Sequence, residues 1–432
     1  MASFSIPLTG LEADSTALNT IANNLSNMST TAFKATTTNF ADLFYQQIGS
    51  TGSGDPIQVG AGTTVASNET NYTQGSINST GNSTDVALNG NGFFVVKNGG
   101  GTYEYTRAGN FTLDSNGALV TSNGLSVMGY PAANGVVNTN APLTAIDIPV
   151  GQVQQPLATT SMSMTANLNS SSSTGASFPA EVTVYDSLGQ AHVATVTYTQ
   201  TAANTWSYSI ALPSADYTTA GGAPAAVTGT MNFNSSGNLT TVTPTGGTAQ
   251  TVGTGTGDVS SVALNFTPAG YSLADGAAAL SLNWNLLSSA GTPNISQVDT
   301  TSAVSATSQN GYASGQYQSF SIGSDGTVSV TYSNGQTQNV GKLALANMAN
   351  LQGLSLQGDG DYLTTQASGV AVVGSSGTAG LAQVQDDALE ASNVNISTAF
   401  SDLIVAQRAF EANAKSVTTF DTVTQDAINM VH

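Results

Sequence analysis

The chain has 432 residues, with 6 Lys+Arg, 25 Asp+Glu and no Cys; 7% of it is charged and its formal net charge is −19. An ordinary soluble domain carries about 25% charged residues. Six scattered cations build no phosphate-binding groove and give no attraction to anionic lipid, and the lack of Cys excludes disulfides, thiolate nucleophiles and Cys-based metal centres. The two histidines, His192 and His432, offer no pair for a metal. Neither enzyme nor cofactor chemistry is expected, nor nucleic-acid binding. No apolar run approaches the roughly 20 residues needed to cross a bilayer, so membrane insertion is not expected. An apolar content of 40% still suffices for real cores, and the length allows two to four domains.

The N-terminal stretch predicts a helix from about residue 5 to 27. Phe4, Leu11, Leu18 and Leu25 are seven apart, Ile21 and Met28 take complementary positions, and Pro7 is tolerated in a first turn. Asn23, Asn24, Asn27 and Ser29-Thr30-Thr31 end it, because their side chains compete for backbone hydrogen bonds. The first residues show no basic, continuously apolar leader, so export without a cleaved signal is expected.

Between the ends the apolar period falls to two. Val86-Ala87-Leu88, Phe93 to Val96, Tyr103 to Thr106, Val182 to Tyr185, His192 to Tyr198 and Val328 to Tyr332 read as strands, separated by turn signals such as Asn89-Gly90-Asn91-Gly92 and Ser333-Asn334-Gly335. His192 reads as a β-surface residue. Gly253 to Asp258 is a flexible loop rather than a phosphate cradle, since no Lys follows it. Gly358-Asp359-Gly360-Asp361 reads as a solvated turn, because a calcium loop needs more oxygen ligands.

From Asp386 to Met430 there is no Gly or Pro, and Leu389, Ile396, Leu403, Phe410 and Val417 are seven apart, with Ala399, Ala406, Phe420 and Ala427 at complementary positions three residues on. This predicts a helix of roughly 65 Å at about 1.5 Å per residue. Two such striped helices, far apart in sequence, cover their seams only by meeting each other, and a two-helix pair still leaves apolar surface wet. Contacts between copies that do not close on themselves give a helical filament. The pattern therefore points to a polymer subunit, with Leu11, Leu18, Ile21, Leu25, Leu389, Ile396, Leu403, Phe410, Val417 and Phe420 as its interface.

Several segments resemble the bacterial flagellar rod and hook protein family. They are Leu8-Thr9-Gly10-Leu11, Asn23-Asn24-Leu25-Ser26-Asn27 and Thr30-Thr31-Ala32-Phe33-Lys34 at one end, and Ala388 to Asn395 with Ile404 to Lys415, including Gln407, Arg408 and Asn413, at the other. The family usually has Gly before Phe-Lys; here Ala32 stands there. Tyr72 to Ser76, Leu88 to Val96 and Tyr105 to Phe111 are shared by rod and hook members, whereas Val184 to Gly189 and Tyr332 to Gln338 resemble hook members in particular.

The resemblance implies a mixed, mainly β fold: paired N- and C-terminal coiled-coil-like helices plus two stacked β domains, the outer one inserted in the inner one. Residues 1–30 with 384–432 would be the helical polymerisation domain, 31–71 with 365–383 a connecting segment, 72–146 with 299–364 the inner β domain and 147–298 the outer. The implied role is a subunit of a curved extracellular tube acting as a universal joint that carries torque from rod to filament. Its implied partners are itself, the distal rod protein, the hook-cap protein, the hook–filament junction protein and the flagellar type III export apparatus. A distal rod or junction protein is the near alternative. A secreted adhesin or surface-layer protein, or an extracellular carbohydrate-active enzyme, fits less well, since neither needs heptads at both ends.

Overall fold

The computed structural model describes residues 5–218 and 223–430; Phe4, His432 and the Ala427 side chain lie outside what is described. The chain forms two compact units, residues 1–150, 319–331 and 337–432 in the first, and 151–318 with 332–336 in the second, inserted in the sequence of the first. The inserted unit thus runs beyond residue 298, because the strand Ala303–Gln309 pairs with Ser161–Asn169.

The first unit opens with helix α1 (Ser5–Ser26) and ends with helix α2 (Ile396–Met430). Between them, β1 (Thr36–Asp42), β2 (Tyr45–Ser50), β3 (Pro56–Gly60) and β4 (Thr63–Thr70) form two antiparallel ribbons, β1 with β4 and β2 with β3. An antiparallel sheet follows. Phe93–Lys97 pairs with Tyr103–Thr106 and Ser126–Ala133, and Thr337–Asn347 bonds to Ser126–Ala133, Phe93–Lys97 and Thr327–Tyr332. Phe93, Val95, Tyr105, Met128, Tyr130, Ala344 and Tyr362 form a core on one side. Alternating strands of this kind bury one side and wet the other.

The inserted unit holds two sheets. One is a meander through Ser177–Tyr185, Ala191–Ala202, Thr205–Ala211, Val227–Phe233 and Leu239–Pro244. The other centres on Ser161–Asn169, which pairs in parallel with Ser281–Asn285 and Ile295–Val298. Inward residues of both, with Tyr198, Trp206, Tyr208 and Trp284 the largest, make one core. This is the two-layer solution for sheets with one apolar side each.

Three expectations need correction. The C-terminal helix begins at Ile396, ten residues after Asp386. Residues Gln383–Asp386 pair instead with Val86–Asn89, and Ala388–Glu390 with Ile77–Ser79, with Asp387 in the left-handed region at φ 51°. Tertiary strand pairing overrides helix propensity there, and Leu389 lies on a strand opposite Asn78. Asn395 starts the helix: its side chain accepts from the Thr398 N–H at 3.1 Å and its carbonyl from Ala399 at 2.9 Å. His192 is not on the β surface but 3% exposed. Asp361, in the expected solvated turn, is buried and accepts from Asn123 Nδ2 at 2.6 Å.

Candidate assembly site

The two helices run antiparallel. The amide of Asn413 donates to Asp14 at 2.8 Å, while the C-terminal part of α1 lies beside the start of α2 across a groove lined by Ala17, Ile21, Asn24, Ala399 and Ala406. The contact is made by small residues. Pro7, Gly10, Ala13, Ala17 and Asn24 are the buried positions of α1, and among the described side chains of α2 Ala406 is the buried one. A Cβ on Gly10 would sit 2.7 Å from Asn413 Nδ2, so the helices approach too closely there for a side chain.

The seam is therefore displaced from the leucine stripe. Leu11, Leu18, Ile21 and Leu25 are half-buried flanks of α1, and Leu403 and Val417 are half-buried on α2. Ile396, Phe410 and Phe420 are exposed, as are Phe400, Ile404, Val405, Val423 and Ile428, which the heptad reading did not single out. Their signal was their mere presence on a helix with few charges.

Behind α1 the signature residues tie the two chain ends together. Asn24 clamps the start of β1, donating to the Thr36 carbonyl at 2.7 Å and accepting its N–H at 2.9 Å. Asn393 does the same from the other terminus, accepting from Ala35 N at 2.8 Å and donating to the Asn71 carbonyl at 2.7 Å. Phe33 is half-buried, and its carbonyl accepts from Asn393 N. Ala32, at φ 55°, turns its N–H to the Glu390 carbonyl at 2.8 Å. By contrast Asn23, Gln407 and Arg408 are exposed, the last paired only with Glu411 along α2.

Lys34 leads to a residue the sequence did not flag. Its ammonium lies 2.6 Å from Glu390 Oε1 and donates to the Thr73 carbonyl at 2.8 Å. The other Glu390 oxygen accepts from Arg107 at 3.1 Å, and the Gly75 N–H donates to Oε1 at 2.8 Å. Arg107 in turn donates to the carbonyls of Gly92 and Gly90. All three charged side chains are buried. Burial pushes the Lys34 ammonium below its usual range, although Glu390 opposes this. A buried charge is tolerable only when paired and hydrogen-bonded, and here every partner is present. The triad joins the N-terminal signature, the β sheet and the C-terminal signature at one point. Lys34 and Arg107 were detectable by scarcity, since the chain has only six cations and both fall within signature motifs; Glu390, one of 25 acidic residues, carried no such signal.

The chain is thus a mainly β protein whose ends close into an antiparallel helical pair, with large apolar side chains left exposed on the second helix. Four family models cover it: "Flagella basal body rod protein" at residues 7–34, "Flagellar hook protein FlgE/F/G D1 domain" at 87–167, "Flagellar basal body protein FlaE D2 domain" at 156–312 and "Flagellar basal body rod FlgEFG protein C-terminal" at 385–430. The flagellar hook protein FlgE of Salmonella typhimurium is 36% identical over 442 residues, covering 99% of this chain and 100% of that one. That of Treponema pallidum is 33% identical over 460 residues, covering 98% of each. A crystal structure of Helicobacter pylori flagellar hook protein FlgE2 shares the fold, with a TM-score of 0.54 at 15% identity over 72% of this chain and 100% of that one. The chain belongs to the flagellar hook protein family and is a structural subunit of the hook.

Proposed function

We propose that the subunit polymerises through its terminal helices, and that the outer side of α2 is the surface buried between copies. The observation that carries this is the set of exposed apolar side chains on α2 away from Ala406, among them Phe400, Ile404, Val405 and Val423. Leaving so many on one solvated helix is costly at about 25 cal/mol per Å² of apolar surface, and burial against neighbouring copies recovers that free energy. The half-buried Leu11, Leu18, Ile21, Leu25, Leu403 and Val417 would be covered further in the same assembly. The resulting tube lies outside the cell as a torque-bearing joint, exported by the flagellar type III apparatus. It meets a distal rod protein below and a junction protein above, and grows beneath a cap. The role is mechanical, not enzymatic.

Ile404 is the discriminating position, since it is 57% exposed in the single chain. The Ile404→Asp subunit should keep its circular dichroism spectrum yet lose assembly, because an unpaired carboxylate cannot be buried between copies. Normal tubes from this variant in electron micrographs would sink the proposal.

A further inference from the structure

The segment 151–318 contains six carboxylates, Glu181, Asp186, Asp216, Asp258, Asp275 and Asp299, and no Lys or Arg. His192 is its one side chain able to carry a positive charge near neutral pH. The fold places that side chain, 3% exposed, between carboxylates from three separate places. Nε2 lies 3.0 Å from Asp186 Oδ2, in the turn that follows the strand Ser177–Tyr185. Nδ1 lies 2.9 Å from Asp216 Oδ2, in the short 3-10 turn Ser214–Asp216. Asp275, from the loop ahead of the strand Ser281–Asn285, brings a carboxylate oxygen within 4.8 Å of both Asp186 and His192. Tyr217 stands beside Asp216; burial pushes its phenol up to about 12, so it stays neutral, and its hydroxyl donates to the Phe266 carbonyl at 2.8 Å.

A neutral imidazole has one N–H and can donate to only one of these two carboxylates. Both ring nitrogens face carboxylate oxygens at hydrogen-bond distance, an arrangement satisfied only when both carry hydrogen. We propose that His192 is a proton-operated latch of the inserted unit: charged, it ties the Asp186 turn to the Asp216 turn, and loss of its proton releases one of the two ties. The latch does not rest on the proposed polymerisation, since every group in it belongs to the inserted unit.

The local electrostatics agree. Burial opposes the imidazolium, but the hydrogen bonds and charges of Asp186 and Asp216 outweigh it and raise its titration above the ordinary histidine value. Burial likewise opposes the Asp186 charge, but hydrogen bonds from Asp275, His192 and the Gln190 and Leu188 N–H groups hold it below the usual carboxylate range. The Asp275 carboxyl, beside Asp186, is raised above the usual carboxylate range by that neighbour and by burial. A histidine whose folded value is raised stabilises fully below about pH 6.5, and that contribution is lost as pH climbs through the folded value. The Asp186 contribution is lost only in acid, as pH falls through its depressed value. The latch is thus closed below the ordinary histidine value and opens as pH climbs through the raised folded value.

The test has a built-in local probe, because Trp206 and Trp284, the chain's two tryptophans, both sit in the inserted core. In the full-length monomer, imidazole resonances are followed by NMR against pH, with His432→Gln assigning the second histidine, and tryptophan fluorescence reports melting at about pH 6 and about pH 9. We expect His192 to titrate above about 6.5. The melting midpoint should fall by a few degrees between the two pH values in the parent chain, and by much less in His192→Gln. Asp216→Asn should move the His192 titration downward, which keeps the test decisive if His192→Gln does not fold. Titration of His192 at or below the ordinary value, or an undiminished pH effect in a folded His192→Gln chain, would overturn the latch.

Discussion

The first unit holds a buried glutamate between two cations, Lys34 and Arg107; the inserted unit holds a buried histidine between two anions, Asp186 and Asp216. Both centres fasten segments distant in sequence, and both are surrounded by backbone donors or acceptors that complete their hydrogen bonding. They differ in what can be switched off. All six Lys and Arg of the chain lie in the first unit, and an arginine there keeps its charge at any pH the protein meets. The inserted unit relies on a histidine, whose proton leaves near neutrality. A low overall charge therefore conceals a division: a permanent fastening where the chain ends meet, and a titratable one in the insertion.

Removing Glu390 would break this comparison most severely. Glu390→Ala leaves two buried cations unpaired and frees the Gly75 N–H, so a loss of about 3–5 kcal/mol is expected in the stability of the first unit. Chemical denaturation checks it, and tryptophan fluorescence should report little change in the inserted unit. The pH dependence lodged in His192 is the intermediate effect. The smallest change should go the other way. Ala32 occupies a left-handed conformation that costs an L-residue about 1–2 kcal/mol, so Ala32→Gly should stabilise the junction by about 1 kcal/mol once the lost methyl burial is subtracted. A destabilised Ala32→Gly would show that the buried methyl outweighs backbone strain at that turn.

Much of the fold was legible because it rests on local periodicity. The first helix spans Ser5–Ser26 against an expected 5 to 27, and the period-two runs such as Phe93 to Val96 and His192 to Tyr198 are strands. What misled was a pattern that suits two structures. Ala388-Leu389-Glu390 carries good helix formers, but the partner that captures it, Ile77–Ser79, lies more than 300 residues away and leaves no local trace. The seven-residue spacing found the right helices and, through Ala406, the α2 side of their seam, but displaced the α1 side, because Gly10, Ala13 and Ala17 are too small to register as an apolar stripe while allowing the closest approach. His192 was misplaced for a related reason. It shares a side of the strand with Ala194, Val196 and Tyr198, which face the inserted core, whereas its carboxylate partner Asp216 lies 24 residues away and leaves no local trace.

The central claim is that the outer side of α2 is an interface between copies. A cryo-EM map of the assembled tube at side-chain resolution tests it most directly. We expect Phe400, Ile404, Val405 and Val423 to be covered by helices of neighbouring subunits, with the intramolecular Asp14–Asn413 contact kept. A tube in which those side chains still face solvent or the central channel, with subunits joined through the inserted units alone, would contradict the account.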